Sequence, residues 1–264
     1  MHLSTLTESG QFDTQRAELV LTDMAVQDQL VAEVIQTVLR RGYAGVDVDF
    51  EFLPGQLAAA YAAFLDRLRR RLQPQGRFLW AALAPKTSAG QRGLLYEGHD
   101  YAAVAAATDG VLLMTYEWGY TYGPPMAVAP LPNVRRVVEY ALTEIPAEKL
   151  WLGVPLYGYD WPLPFVQGRT KAQSLSPREA GALAVRYGAE IQYDQQSQAP
   201  WFRYTDEYGG GHEVWFEDAR SIQAKLALVP EYGLDGVGYW NLNRPFPQNW
   251  RVLNALYRIR EPQI

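Results

Sequence analysis

Three acidic residues, Asp47, Asp49 and Glu51, alternate with apolar residues within the segment 43–52. This period of two predicts a β-strand that carries the three carboxyls on one face and valine and phenylalanine on the other. Because like charges at this spacing repel, at least one carboxyl should keep its proton at neutral pH. A protonated acid beside an ionised neighbour is what a hydrolase needs. The segment therefore predicts a catalytic carboxylate row that ends in Glu51.

Two other interpretations of the acidic row are a solvated edge strand and a divalent-cation site. The edge strand is disfavoured because Val46, Val48 and Phe50 mark the opposite face as buried. A cation site would need oxygen ligands from other segments as well, and no second acidic cluster of that kind stands out. We therefore expect no metal and no cofactor.

The acidic strand also resembles a family signature. Residues 44–51 are similar to the motif Asp-Gly-x-Asp-x-Asp-x-Glu of glycoside hydrolase family 18, with Ala44 in place of the first Asp. Residues 114–118, Met-Thr-Tyr-Glu-Trp, resemble the sixth-strand motif Met-x-Tyr-Asp of that family, with Glu117 in place of the Asp. Segments 152–158 and 236–240 resemble its seventh and eighth strands. The longer runs resemble the catalytic domain of spore-germination N-acetylglucosaminidases that degrade cortex fragments.

The resemblance implies a fold and an insertion. The fold is an α/β protein of the (β/α)8 TIM-barrel type, with residues 1–264 as a single glycosidase catalytic domain. Residues 161–214 break the alternation of strands and helices with a mixture of Pro, Gln, Tyr and Gly. In the resembling family an α+β insertion lies at this point, after the seventh strand, and forms one wall of the groove.

The resemblance also implies residue roles in substrate-assisted hydrolysis, in which the acetamido oxygen of the substrate attacks the anomeric carbon. Glu51 would be the acid and then the base, and Asp49 would hold the acetamido N–H. Asp47, deeper in the barrel, would share charge or a proton with Asp49, and Tyr116 would bond the acetamido carbonyl. Glu117 would contact a sugar hydroxyl.

Aromatic residues are the other expected substrate-binding groups. Trp240 would form the floor beneath the reacting sugar, since it ends the final strand. Residues that could equally be core or groove wall are Trp118, Tyr120, Tyr157 and Trp161. Pro85 and Lys86 follow the fifth strand of the family and could contribute too, although Lys86 could equally be a solvated charge.

Composition restricts the partners. The chain has 264 residues, of which 48% are hydrophobic and 13% aromatic, so it can bury one large core. A formal net charge of −5 without a basic run argues against nucleic acid as a partner. The chain has no cysteine, which excludes disulfides and thiolate sites. We find no apolar run long enough to span a membrane and no signal-peptide pattern at residue 1, so localisation in the spore cortex or coat, or outside the cell, is implied by the resemblance alone.

Hydrophobic periodicity predicts six strands, at 3–6, 43–52, 78–84, 110–116, 151–157 and 235–241. Helical patterns cover 26–40, 56–72, 134–144 and 217–229. The first strand matches the third of the family, so the first two βα units have no counterpart. A parallel barrel cannot close with six of eight strands. We therefore expect either that sequence precedes residue 1 in the intact protein or that another chain covers the open edges, which would give self-association.

Three functions remain open at this level. The first is a retaining glycosidase that cleaves β-1,4 bonds in an N-acetylglucosamine-containing polysaccharide, either cortex peptidoglycan or chitin oligomers. The second is a carbohydrate-binding, lectin-like relative without activity. The third is an inactive fragment of an active family. Because Glu51 is present, the sequence favours the enzyme.

Overall fold

A computed structural model describes residues 1–259 of the chain. Its strands are β1 (His2–Ser4), β2 (Gly45–Asp49), β3 (Phe78–Leu83), β4 (Gly110–Leu113), β5 (Leu150–Pro155), β6 (Gly158–Leu163), β7 (Gln173–Leu175), β8 (Gln192–Asp194), β9 (Ala199–Thr205), β10 (Gly211–Trp215) and β11 (Gly236–Trp240). Its helices are α1 (Thr14–Thr22), α2 (Met24–Arg41), α3 (Ala58–Leu72), α4 (Leu94–Glu97), α5 (Tyr101–Ala107), α6 (Leu131–Glu144), α7 (Pro177–Arg186), α8 (Ala219–Leu226), α9 (Leu228–Tyr232) and α10 (Pro247–Leu256). None of the helices within residues 1–259 is long and apolar enough to cross a bilayer.

Six parallel strands form the main sheet in the order β1-β2-β3-β4-β5-β11. Helices connect successive strands, as a parallel sheet requires. Within the described residues, β1 pairs only with β2 and β11 pairs only with β5. The predicted fold class is therefore confirmed: the sheet is an open part of a barrel with six strands, and its two ends do not meet.

The acidic strand β2 takes its orientation from its apolar side chains. Val46, Val48 and Phe50 are each at most 1% exposed. The Phe50 ring stacks on Tyr61 and Phe64 of α3, with ring centroids 5.8 and 5.6 Å apart. Full burial of side chains of this size stabilises the fold by about 1.5–3 kcal/mol each. This packing turns the carboxyl-bearing face of β2 towards the concave side of the sheet.

Two tryptophans occupy the concave side of the sheet near the row of Asp47. Trp80 is the register partner of Asp47 on β3, and its ring centroid lies 4.4 Å from that of Trp151 on β5. Glycines make room for both rings: a Cβ at Gly110 would lie 2.7 Å from Trp80 Nε1, and one at Gly236 would lie 2.6 Å from the Trp151 ring. The tryptophans fill the interior at the level of Asp47, and the space left for a ligand therefore lies nearer the carboxyl ends of the strands.

The second sheet is antiparallel, with the order β7-β6-β10-β9-β8. It lies between β5 and β11 in the chain and spans residues 158–215, slightly more than the predicted insertion at 161–214. Its small core contains six residues, Leu175, Ala180, Ala184, Phe202, Val214 and Phe216. Trp161 of β6 is fully buried and its indole N–H donates to the carbonyl of Gly123, 2.8 Å away. This bond ties the second sheet to the loop that follows β4.

Several predicted boundaries were wrong. The strand predicted over 110–116 ends at Leu113, because the N–H groups of Thr115 and Tyr116 bond to carbonyls two residues back instead of to β5. The helix predicted over 217–229 divides into α8 and α9 around Ala227. The early end of β4 matters for function, since it lets the next residues turn into the groove.

Candidate active site

The carboxylate row lies along β2 and the residues just after it. Asp47 and Asp49 belong to the strand, and Glu51 follows two residues beyond its end. The side chain of Asp47 is 33% exposed and that of Asp49 is 10% exposed. Asp47 is therefore partly accessible to solvent, and the strand beside it, β1, has no second strand neighbour within the described residues.

Glu51 faces a cavity of about 140 Å³. The lining includes four residues that the sequence analysis named, Pro85, Tyr116, Glu117 and Trp118, and also Leu95, Tyr96 and Met114. The structure thus brings the end of the acidic row together with the segment that follows β4. We call this cavity the catalytic pocket.

Burial and mutual repulsion separate the pKa values of the row. Burial raises the pKa of Glu51 to about 8, and the charges of Asp49 and Glu117 add to the effect. Burial also raises the pKa of Asp49 to about 6, against the opposing effect of His2. At neutral pH Glu51 therefore carries a proton while Asp49 is mostly ionised. Two carboxyls whose pKa values are pushed apart are suited to acid catalysis and to charge stabilisation, respectively.

His2 lies between the two aspartates, which the sequence analysis did not foresee. Its Nδ1 is 2.8 Å from Asp47 Oδ2 and its Nε2 is 3.7 Å from Asp49 Oδ2. The hydrogen bond to Asp47 raises the pKa of His2. The pairing of β1 with β2 places His2 opposite Asp47, so the parallel register is the signal from which this contact could have been expected.

Glu117 is held by two tyrosines. Its Oε1 accepts hydrogen bonds from the Tyr157 hydroxyl at 2.6 Å and from the Tyr159 hydroxyl at 2.9 Å. Burial raises the pKa of Glu117, and these two bonds oppose the rise. The backbone of Glu117 has φ 67°, in the left-handed region that non-glycine residues rarely adopt. The carboxyl thus bonds to two tyrosines that follow β5, and Tyr159 is one that the sequence analysis missed.

His99 fixes the backbone that carries Glu51. Its Nε2 lies 2.8 Å from the carbonyl of Phe50, and its Nδ1 accepts the N–H of Ala84 at 2.9 Å. Complete burial lowers the pKa of His99 to about 4, so the ring is neutral and Nε2 is the donor. The Lys86 ammonium donates to the carbonyl of His99 at 2.9 Å. His99 therefore links the loops after β2 and β3 and holds Glu51 in place.

Of the remaining predicted residues, one faces the acidic row, two are buried and one lies outside the catalytic pocket. Trp240 is 43% exposed at the end of β11, and its ring centroid lies 6.2 Å from that of His2, so it faces the acidic row. Trp161 is buried under the second sheet and is not a groove wall. Lys86 is buried and is not a solvated loop charge, because its ammonium is bonded to His99. Tyr120 is 41% exposed and lies outside the catalytic pocket.

One oxygen of each aspartate lacks a partner. Asp47 Oδ1 and Asp49 Oδ1 are buried and accept no hydrogen bond from residues 1–259. Buried acceptors of this kind are normally satisfied, and a substrate N–H could satisfy that of Asp49. No three His, Asp or Glu side chains in this part of the chain are arranged to hold a metal ion.

Comparisons with known proteins agree with this geometry. The family model "Glycosyl hydrolases family 18" matches residues 9–244. The chain is 48% identical to a cortical fragment-lytic enzyme of Bacillus subtilis over 98% of its own length and 60% of that protein. It superposes on the spore cortex-lytic enzyme SleL of Bacillus cereus with a TM-score of 0.94 and 42% identity, covering 98% of this chain and 60% of that one.

The corresponding enzyme of Bacillus megaterium gives a TM-score of 0.93 with 45% identity, covering 98% of this chain and 59% of that one. The chain thus spans about three fifths of the length of these relatives. Because the family model matches residues 9–244, which include the carboxylate row, the chain belongs to glycosyl hydrolases family 18.

Proposed function

We propose that this chain is a retaining glycoside hydrolase that cleaves β-1,4 bonds next to N-acetylglucosamine, with Glu51 as acid and base. The observation that carries the proposal is the position of Glu51, which lines the catalytic pocket together with Tyr116 and Glu117, with the buried Asp49 two residues earlier on the same strand face. Burial raises the pKa of Glu51 to about 8 and that of Asp49 to about 6, so Glu51 is the carboxyl suited to donate a proton at neutral pH.

In the first step Glu51 donates its proton to the glycosidic oxygen, and the bond from that oxygen to the anomeric carbon breaks. The acetamido carbonyl oxygen of the same sugar forms the new bond to this carbon, which gives an oxazolinium ion. Asp49 accepts the acetamido N–H through Oδ1 and stabilises the positive charge. The Tyr116 hydroxyl donates to the acetamido oxygen and aims it at the anomeric carbon.

In the second step the Glu51 carboxylate takes a proton from water, and the resulting hydroxide oxygen bonds to the anomeric carbon. The carbon–oxygen bond of the oxazolinium ring breaks, which restores the acetamido group. Two inversions at one carbon give overall retention. Glu117, held by two tyrosines, contacts a sugar hydroxyl, and the half-exposed Trp240 indole offers a flat surface to the reacting sugar.

The substrate that we propose is spore cortex peptidoglycan. Its support is the identity of 42–48% to proteins described as cortex-lytic, which extends over 98% of this chain. The place of action is then the spore cortex or coat. Chitin oligomers share the N-acetylglucosamine unit that the mechanism uses, so they serve as the comparison substrate.

The test is the anomeric form of the first product. Time-resolved proton NMR should detect the β-anomer of the new reducing end before mutarotation, from both cortex fragments and N-acetylglucosamine oligomers. An oligomer with hydroxyls in place of the acetamido groups should not be cleaved, because it cannot form the oxazolinium ion. If the α-anomer forms first, or the hydroxyl analogue is cleaved at a similar rate, the mechanism is wrong. Binding without cleavage would favour the lectin-like alternative.

A further inference from the structure

A larger cavity adjoins the catalytic pocket. Its volume is about 290 Å³, about twice that of the catalytic pocket, and it shares Pro85, Tyr96 and Trp118 with it. The rest of its lining is polar: Thr87, Ser88, Gln91, Asn133 and Arg136. We call this cavity the polar pocket. A chain of sugars that places one unit against Glu51 would place a neighbouring unit, or a substituent of it, in this space.

Arg136 gives the polar pocket a positive charge. It lies in α6, is exposed, and donates through Nη2 to the amide oxygen of Asn133 at 2.8 Å. Among residues 1–259 no carboxylate forms an ion pair with it. The preceding residue, Arg135, differs in this respect, since its guanidinium pairs with Glu231 and contacts Tyr232. Arg136 therefore keeps free donors in a fork that fits a carboxylate.

The other polar groups of the pocket also favour an acceptor ligand. Gln91 Oε1 accepts from the N–H and the hydroxyl of Thr87, at 2.7 and 3.1 Å. The amide nitrogen of Gln91 makes no such bond within the described residues, so its two N–H donors are available. The lining presents hydroxyl, amide and guanidinium donors and no acidic side chain. The charge is local, because the chain as a whole carries a formal −5.

We propose that the polar pocket binds a carboxylate carried by a substituent of the sugar next to the cleaved bond, with Arg136 as its charged partner. In peptidoglycan, muramic acid differs from N-acetylglucosamine by a lactyl ether that ends in a carboxyl, either free or extended by a peptide with its own carboxylate. A pocket for this group selects cell-wall polymer over chitin. The inference rests on the proposed function and specifies the substrate of that site.

The test compares Arg136→Gln with the matched variant Arg135→Gln on three oligosaccharides of equal length. One is a neutral N-acetylglucosamine oligomer, the second carries a free lactyl carboxylate, and the third carries the lactyl group extended by alanine. The ratio of kcat/KM for a carboxylate-bearing substrate to that for the neutral oligomer should fall about tenfold in Arg136→Gln, as loss of a charge-assisted hydrogen bond implies. It should stay unchanged in Arg135→Gln. The substrate with the larger fall identifies the carboxylate that is bound.

In Arg136→Gln, an equal fall in kcat/KM for all three substrates, or no fall in kcat/KM for any of them, would overturn the proposed carboxylate subsite. If the parent cleaves none of them, the proposed function fails, and calorimetry then decides on the subsite alone. A roughly tenfold loss of affinity for the carboxylate-bearing oligosaccharides in Arg136→Gln, without the same loss for the neutral one, would still support it. Absence of binding to the parent would overturn both proposals.

Discussion

The imidazole of His2 lies beside Asp47 and Asp49, where its charge affects the pKa of Asp49. The bond to Asp47 raises the pKa of His2, and the positive charge of its protonated form lowers the pKa of Asp49 against the effect of burial. We therefore expect His2 to help keep Asp49 ionised while Glu51 stays protonated.

Replacing His2 by Asn should shift the acidic limb of the kcat/KM profile to higher pH. The amide can still bond to Asp47 but has no charge, so the pKa of Asp49 should rise above about 6 and its ionised form should become scarcer at a given pH. The alkaline limb, set by Glu51 near 8, should move less. The matched variant is His212→Asn, which removes a histidine bonded to Asp160 of the second sheet.

Proton NMR provides an independent measurement, since the chain has only three histidines. The pKa of His2 should lie above 6.5 and should fall in Asp47→Asn, because the bond to Asp47 is the main cause of its rise. A His2 pKa that is the same in Asp47→Asn as in the parent, together with an unchanged acidic limb in His2→Asn, would show that the contact does not act on the row.

The positions that the sequence could predict are those whose spacing is local. The alternation of Asp47, Asp49 and Glu51 predicts a shared strand face, and the structure has all three on the concave side of the sheet. His2, Tyr159 and His99 could not be found in this way, because each acts on a group at least 40 residues away along the chain. Such contacts depend on the register between neighbouring strands and on the second sheet, which hydrophobic periodicity does not specify.

At the level of elements, the number and order of strands in the main sheet were predictable, because buried parallel strands are short apolar runs between helical patterns. The residues at which these strands end were not predictable. The departure of the chain from β4 depends on hydrogen bonds of Thr115 and Tyr116 and on the left-handed Glu117, which no pattern in the sequence marks. That departure is what carries Tyr116 and Glu117 into the catalytic pocket.

The open edges of the main sheet should make this 264-residue polypeptide self-associate when it is studied alone. Strand β11 is only half-buried along most of its length, and β1 and β11 each have one side without a strand partner in the described residues. Unpaired backbone groups at such edges bind other strands. Light scattering across a range of concentrations should show dimers or larger species, and a fusion that supplies two βα units ahead of residue 1 should reduce them.

Comparison of the 264-residue polypeptide with the fusion also tests how the added strands affect activity. The fusion should also cleave substrate more efficiently, because groove contacts from the two added strands lower KM. A monomer at all concentrations, with activity equal to that of the fusion, would mean that the edges are not sites of association and that the added strands do not contribute to the groove.

For the whole molecule, the two sheets act together on one groove. The main sheet supplies the carboxylate row, and the second sheet supports the groove through Tyr159, whose hydroxyl bonds to Glu117. The surface is acidic overall, so an anionic polymer gains nothing from long-range attraction and must be held by local contacts. We therefore expect the reaction to take place at Glu51 and the substrate to be selected in the adjoining polar pocket.

The most direct test of that account is the turnover of Glu51→Gln. The amide keeps the shape of the side chain but cannot donate a proton, so kcat on a chromogenic N-acetylglucosaminide or on cortex fragments should fall at least ~10²-fold. Affinity for an oligosaccharide should stay within about threefold of the parent value, since the binding contacts remain. The exposed Glu190→Gln is the matched control and should match the parent in both respects. Near-parental turnover in Glu51→Gln would contradict the assignment of Glu51 as the acid and base.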